Sequence, residues 1–189
     1  SYEDIQLTYR VGPAPLLFNA GEATINGAEL EVYYMPTDQT TVDFSIGLLQ
    51  AEMDSVAQVP NLGAQTPTAT TQVGDRLPRA PESEMHLGVS HVFELPNSFE
   101  LTPRIDVTYR ESIFFDAGND IGESSLTLVN GSLTLANINQ DWRISLRGEN
   151  LTDELYLVSG TTSASTATGY SEGIYARPRN FSLTFSKDF

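Results

Sequence analysis

Residues 101–110 read Leu101-Thr-Pro-Arg-Ile-Asp-Val-Thr-Tyr-Arg110, and from Arg104 onward apolar and polar side chains alternate with a period of two. Successive side chains of a β-strand point to opposite faces. One face of this segment is therefore apolar, whereas the other carries charged groups. The pattern predicts a strand in a sheet that has one apolar and one wet face.

The same alternation recurs along the whole chain, and no segment sustains a helical period. Turn residues or long polar stretches separate the runs. The predicted strands lie near residues 5–10, 22–34, 41–54, 85–95, 101–110, 124–138, 142–149 and 180–189. We therefore predict an all-β fold, an antiparallel meander of about eight strands.

The connections between these strands alternate in length. Short turns are predicted at 35–39, 96–98 and 139–141, and long polar loops join the strands at the other end of the meander. Outer-membrane β-barrels have this asymmetry, with short turns on one side and long loops on the other. The strands of a soluble β-sandwich have the same alternation, so periodicity alone leaves both architectures open.

Charged residues gather on the non-apolar faces of the predicted strands. In a barrel wall these faces line the wet lumen, where we expect mutual ion pairs that hydrate the wall or contact whatever fills it. The lumen-facing candidates are Glu29, Glu31, Asp43, Arg104, Asp106, Arg110, Arg143, Arg147 and Glu149. Aromatic residues near strand ends on the apolar side suit an interfacial girdle, and these are Tyr9, Tyr34, Tyr109 and Trp142.

The composition excludes several classes of protein. The chain has 189 residues, with 10 basic and 25 acidic side chains, a net charge of −15 and no cysteine. This charge argues against nucleic acid as a partner, because that interaction needs clustered Lys and Arg. Without cysteine there is neither a disulfide scaffold nor a thiolate metal site. The first residues, Ser1 to Asp4, contain no initiator Met, so we expect a processed chain or a fragment.

No motif predicts catalysis, a metal or a cofactor. Gly169-Tyr-Ser171-Glu-Gly173 matches a G-x-S-x-G nucleophile elbow, but no His follows it and the flanking residues do not predict strand and helix. His86 and His91 are predicted on opposite faces of one strand, so they cannot share a metal ion. The acidic stretch Asp116 to Glu123 does not fit the EF-hand spacing and is interpreted as a solvated loop.

Several local patterns occur in an order that is typical of one family. Asn19-Ala-Gly-Glu-Ala-Thr-Ile-Asn-Gly-Ala-Glu-Leu-Glu31 contains a Gly-X-Glu-X-Glu run, and Gly74 to Glu82 has the form of a segment that closes a long loop. More specific are two motifs near the end of the chain and the alternate apolar residues that follow them. These residues are Asn150, Leu151, Thr152, Asp153 and Tyr156; Arg177, Pro178 and Arg179; and Phe181, Leu183, Phe185 and Phe189.

Together these patterns resemble the C-terminal half of the β-barrel of TonB-dependent receptors, the outer-membrane transporters for siderophores, vitamin B12 and some sugars. The resemblance implies a barrel of about 22 strands, of which residues 1–189 are the C-terminal portion, without the plug domain and the N-terminal strands. The terminal Phe189 and its alternate neighbours look like the signal read by the barrel assembly machinery, although Lys187 stands where an aromatic residue is preferred.

The resemblance also implies a function. We expect a non-enzymatic receptor in the Gram-negative outer membrane that imports a scarce nutrient, such as a ferric siderophore. Its further partners would be outer-membrane lipid, the plug domain, the remaining strands and the TonB complex. Loops 55–81, 114–123 and 155–176 would capture the ligand, whose identity the sequence does not specify. The alternatives are a complete eight-stranded outer-membrane barrel with a structural or adhesive role, or a soluble β-sandwich binding domain.

Overall fold

The computed structural model describes residues 1–11, 14–57, 71–162 and 169–187, and β-strands dominate these ranges. The strands are β1 Tyr2–Val11, β2 Ala14–Thr37, β3 Thr40–Val56, β4 Ser83–His91, β5 Phe93–Leu95, β6 Phe99–Arg110, β7 Ile113–Phe114, β8 Gly122–Glu123, β9 Leu126–Asn137, β10 Trp142–Glu149, β11 Leu157–Thr162, β12 Ser171–Tyr175 and β13 Asn180–Lys187. Over the same ranges no helix has both the length and the apolar character needed to cross a bilayer.

Nine of these strands form one antiparallel sheet. Its order is β1-β2-β3-β4-β6-β9-β10-β13, and β5 pairs with β6 beside β4. Two small ribbons, β7–β8 and β11–β12, stand apart from this sheet. The predicted all-β antiparallel meander is confirmed, and β2 begins at Ala14, earlier than the predicted run from residue 22. Within the described residues β1 and β13 are the two ends of the pairing path.

Three short turns lie at one end of the sheet, where the sequence predicts them. Thr37 and Thr40 close the first through their hydroxyl groups at 2.9 Å. The second is a 3-10 turn at Pro96–Ser98, in which Asn97 has a φ of 64°. In the third, the Asn137 side chain accepts a hydrogen bond from Gln140 N at 3.0 Å. Asn readily adopts the left-handed conformation and caps turns with its own side chain, so these residues suit tight reversals.

The register places apolar residues opposite one another on one face, the apolar face. Representative paired rows are Val32–Phe44–Leu87–Val107–Val129 and Leu135–Ile144–Phe185. This face is not covered, because Leu146 is 47% exposed and Leu183 is 72% exposed. A β-sandwich would bury such a face under a second sheet, and the described residues place no second sheet over it.

We call the opposite face of the sheet the polar face. Along β3, both faces change polarity. From Val42 to Leu48 the side chains on the apolar face are Val42, Phe44, Ile46 and Leu48. Beyond Leu48 the same face carries Gln50, Glu52 and Asp54, whereas the polar face carries Leu49, Ala51 and Met53. The alternation keeps its phase, but its polarity inverts at this level.

The buried apolar residues lie at the long-loop end of the sheet. They are Ala23, Ala51, Met53, Ile113 and Leu126, and Met53 is only 2% exposed. Residues that follow long loops pack over this end, as shown by the hydrogen bond from Leu77 N to Ala51 O at 2.9 Å. The small core therefore belongs to the loops and the strand ends, while the middle of the sheet has no layer packed on its apolar face within the described residues.

Candidate functional site: the polar face and the loop cluster

An ion network occupies the middle of the polar face. Arg104 of β6 donates to Asp43 of β3 through Nη1 at 2.8 Å and Nη2 at 3.0 Å. The same guanidinium donates to Asp106 Oδ1 through Nη2 at 2.6 Å and Nε at 2.9 Å. His86 of β4 adds a contact from Nε2 to Asp43 Oδ2 at 3.0 Å. Three strands are thus joined by charge-assisted hydrogen bonds.

Gly88 allows this network to form. It lies between Asp43 and Asp106 in the register of β3, β4 and β6. A Cβ atom at position 88 would overlap Arg104 Nη2 and Asp43 Oδ2. The absence of a side chain leaves the space through which the guanidinium crosses β4 to reach the next strand.

Three ligand-type groups of this network lie close enough to hold a metal ion. One ligand atom each from Asp43, His86 and Asp106 lies within 4.8 Å of the others. However, Arg104 already donates to both carboxylates. A bound divalent cation would therefore have to compete with the guanidinium. The geometry is that of an ion network rather than of a metal centre.

Only part of this network is predictable from the sequence. Arg104 and Asp106 are two positions apart on one strand, so the period of two places them on the same face. The alternation in β3 also predicts Asp43 on this face, but its pairing with Arg104 depends on the register of β3, β4 and β6. His86 lies on the polar face. His91 contacts Thr40 Oγ1 at 2.8 Å on the opposite face, as predicted.

The other lumen-facing candidates lie on the same polar face at other positions of the register. Arg147 pairs with Glu149 of its own strand at 3.1 Å. Glu29 and Glu31 lie opposite Gly47 and Ser45, and no ion pair involves them within the described ranges. Arg110 lies opposite Glu84 and Leu126, and Arg143 lies opposite Ala136 and Ser186.

The predicted Asn150 motif forms a locked turn where the chain leaves β10. Asn150 is 5% exposed and has a φ of 52°. Its side chain accepts from Glu154 N and donates to Glu154 O, both at 2.9 Å. Leu151 N donates to Val129 O at 2.8 Å. The Leu151 side chain lies against Gly131 and Gly148. These contacts fix the direction in which the following hairpin departs.

The Arg177-Pro178-Arg179 motif lies beside this turn. Arg179 N donates to Asp153 Oδ1 at 2.9 Å, and Arg179 Nη1 donates to Leu151 O at 3.2 Å. Ala176 N donates to Tyr156 O at 2.9 Å. The two motifs, separated in sequence, therefore meet at the base of the β11–β12 ribbon. Thr152, Arg177 and Pro178 are exposed there.

The long loops pack on one another at the same end of the sheet. We define the loop cluster as residues 71–82, 111–125, 150–162 and 169–179, which lie at the long-loop end of the sheet within the described residues. Arg76 N and O are hydrogen-bonded to the Asn119 side chain at 3.0 and 2.9 Å. The Arg76 guanidinium lies 4.8 Å from the centre of the Phe114 ring. The predicted loops 55–81, 114–123 and 155–176 thus lie side by side in their described parts; residues 58–70 and 163–168 lie outside them.

The apolar residues of the predicted assembly signal are exposed on the last strand. Phe181, Leu183 and Phe185 are 64, 72 and 64% exposed on the apolar face of β13. Trp142 lies beside Phe185, with ring centres 6.4 Å apart, at the short-turn end. Phe189 lies outside the described residues, as does the side chain of Tyr9.

Comparison with known families gives a match over most of the chain. The family described as "TonB dependent receptor-like, beta-barrel" matches residues 1–151. No curated protein sequence matches the chain.

Solved structures show the same fold. The ferric yersiniabactin uptake receptor FyuA from Yersinia pestis has a TM-score of 0.75 and 22% identity, with 92% of this chain and 25% of that chain covered. The siderophore receptor PiuA from Acinetobacter baumannii has a TM-score of 0.71 and 18% identity, with 94% and 23% covered. BauA, the ferric preacinetobactin receptor from Acinetobacter baumannii, has a TM-score of 0.67 and 18% identity, with 93% and 23% covered. The chain spans about a quarter of the length of these receptors.

Proposed function

Because the chain belongs to the TonB-dependent receptor β-barrel family, we propose that it forms part of the wall and loops of an outer-membrane receptor that imports a scarce nutrient such as a ferric siderophore. The family is one of receptors and transporters rather than of enzymes. Of the similar solved structures, PiuA is named a siderophore receptor, FyuA a ferric yersiniabactin uptake receptor and BauA a ferric preacinetobactin receptor. This naming supports iron as the first nutrient to test.

The observation that carries the proposal is the exposed apolar face and the level at which it ends. Nine residues of β3, Thr40 to Leu48, separate the short turn from the polarity inversion. A tilted transmembrane strand needs about 9–11 residues to cross the hydrocarbon layer. The short-turn end then faces the periplasm, and the loop cluster stands outside the cell, because long loops of these barrels are extracellular.

The polar face becomes the inner wall of the barrel in this proposal. Arg104 is placed between Asp43 and Asp106, so its positive charge offsets one of the two carboxylate charges within the wall. Glu29 and Glu31 extend the polar surface toward the loop cluster. We assign this face to contacts with water and with the plug domain, and the same assignment covers Arg110, Arg143, Arg147 and Glu149.

The remaining partners are proposed by analogy with the family. The plug and the TonB complex would gate transport, and the apolar face would contact outer-membrane lipid. Phe181, Leu183, Phe185 and Phe189 would form the signal for the barrel assembly machinery. The loop cluster would capture the ligand, with Asn150, Leu151, Asp153, Tyr156 and Arg179 as the residues that fix the last hairpin.

Uptake measurements test the proposal. The gene for the full-length protein is deleted from its own bacterium, and uptake is measured with three radiolabelled probes: the strain's own ferric siderophore, cobalamin and a maltodextrin. We expect loss of ferric siderophore uptake, restored by the intact gene and abolished by a protonophore. Loss of cobalamin or maltodextrin uptake instead would replace iron as the nutrient. Unchanged uptake of all three probes would contradict the proposal.

A further inference from the structure

One segment of the loop cluster touches both of the other loops. Residues 74–79 run beside β3, with Met53 N donating to Asp75 O and Leu77 N donating to Ala51 O, both at 2.9 Å. From this fixed position two arginines, three residues apart, extend toward the neighbouring loops. Arg76 binds the 111–125 loop through Asn119, through Ser112 Oγ at 3.0 Å and over the Phe114 ring.

Arg79 contacts both neighbouring loops at once. Its backbone N donates to Phe114 O at 2.9 Å. Its guanidinium lies 5.4 Å from the centre of the Phe115 ring. The same guanidinium donates to Val158 O at 3.3 Å and to Ser159 Oγ at 3.4 Å on β11. A guanidinium suits this position because its planar fork can stack on a ring and donate in the plane at the same time.

The β11–β12 ribbon depends on such contacts for its position. It pairs with no strand of the main sheet within the described residues. Its base is fixed by the Asn150 turn and by Ala176 N, which donates to Tyr156 O at 2.9 Å. Above the base, Leu157 N donates to Glu123 Oε2, and Gly160 lies against Ile121 and Phe115.

We propose that Arg79 is a positioning residue that couples the β11–β12 ribbon to the two loops before it, so that the three loops present one surface to the ligand. Its meaning for ligand capture rests on the function proposed above. The coupling itself is a property of the ligand-free protein. Loss of the guanidinium removes its contact with the Phe115 ring and its hydrogen bonds to Val158 O and Ser159 Oγ, while the Asn150 turn still holds the ribbon's base.

A distance measurement tests the coupling. Asp120→Cys on the 111–125 loop and Glu172→Cys on β12 are introduced into a cysteine-free version of the full-length protein, and nitroxide labels are attached in lipid nanodiscs. Both positions are exposed. Pulsed electron paramagnetic resonance then gives the distribution of label distances. Arg79→Ala is compared with Arg177→Ala, because Arg177 is an exposed arginine at the ribbon's base with no side-chain partner among the described residues.

We expect a single narrow distance in the parent and in Arg177→Ala, and loss of that narrow distance in Arg79→Ala. The outer-membrane level and the heat-modifiable migration of all variants should be unchanged. If Arg79→Ala does not accumulate, Arg79→Lys is measured instead. We again expect loss of the narrow distance, because one ammonium group cannot replace the planar guanidinium. A narrow distance that survives the Arg79 change, or that is equally lost in Arg177→Ala, would overturn the inference. Since no ligand is added, this result is independent of the uptake experiment.

Discussion

At position 88 the side chain is a single hydrogen atom, and the Arg104 guanidinium passes directly over it. The guanidinium belongs to β6 and its partner Asp43 to β3, so their contact crosses the strand between them. Dissolved salt screens a partly buried ion pair less than it screens a fully exposed one. Here Arg104, Asp43 and Asp106 are each only partly exposed.

Gly88→Ala should disrupt this network. The added Cβ overlaps Arg104 Nη2 and Asp43 Oδ2, which must move away, and the expected cost is that of the displaced ion pair, up to about 1 kcal/mol. Gly47→Ala on the neighbouring strand is the matched control, because a Cβ there meets nothing within 4 Å. Denaturant unfolding of the full-length protein in lipid measures both variants. Equal stability of the two variants would show that the network does not constrain β4.

At the scale of the element, β10 shows how one strand serves two environments. Leu146 lies between Leu133 and Leu183 on the apolar face. Ser145, its neighbour in sequence, lies between Thr134 and Thr184, with its Oγ 2.9 Å from Thr134 Oγ1. The proposed function places the first side chain in lipid and the second in the wet interior.

Leu146→Arg and Ser145→Arg should therefore differ in cost. An arginine near the bilayer midplane lowers the free energy of unfolding by about 2–4 kcal/mol. Ser145→Arg loses one hydrogen bond, a cost of about 1 kcal/mol. Unfolding of the full-length protein in lipid vesicles gives both values. A Leu146→Arg cost below about 0.5 kcal/mol, as for an ordinary surface substitution, would mean that this face is in water.

The main strands were predictable from the sequence because apolar and polar side chains alternate along them. The period of two was sufficient for β3, β6 and β10. The short strands β7, β8, β11 and β12 were not predicted, since they lie in polar loops and are positioned by contacts such as those of Arg79 and Glu123. The polarity inversion beyond Leu48 is not predicted, because the alternation alone does not show where the surroundings of a face change.

The candidate site was predictable only where its residues are close together in the sequence. Arg104 and Asp106 share a face through their spacing, and the Asn150 motif was found through the family resemblance. The Asp43 to Arg104 pair joins residues 61 positions apart, and its formation depends on the register of three strands. The hydrogen bond from Arg76 N to the Asn119 side chain joins residues 43 positions apart. It depends on loop packing, which sequence periodicity does not predict.

At the scale of the whole molecule, the sheet exposes the residues that a soluble protein would bury. None of the described large side chains is fully buried, whereas Leu30, Leu87, Ile105, Phe181 and Phe185 are all exposed. A contiguous apolar surface of this kind indicates an interaction with lipid or with another protein. The polarity inversion in β3 favours lipid, because it marks a boundary level beyond which the same face becomes polar.

A nitroxide scan along β3 of the full-length protein in lipid tests this account most directly. Single labels are placed at successive positions from Val42 to Asp54, and their accessibility to oxygen and to a water-soluble nickel complex is measured. We expect high oxygen accessibility at Val42, Phe44, Ile46 and Leu48, low values at the residues between them, and access to the nickel complex at Gln50, Glu52 and Asp54. Oxygen accessibility without a period of two, or nickel access at Phe44 and Ile46 equal to that at Glu52, would contradict the placement of this sheet in a membrane wall.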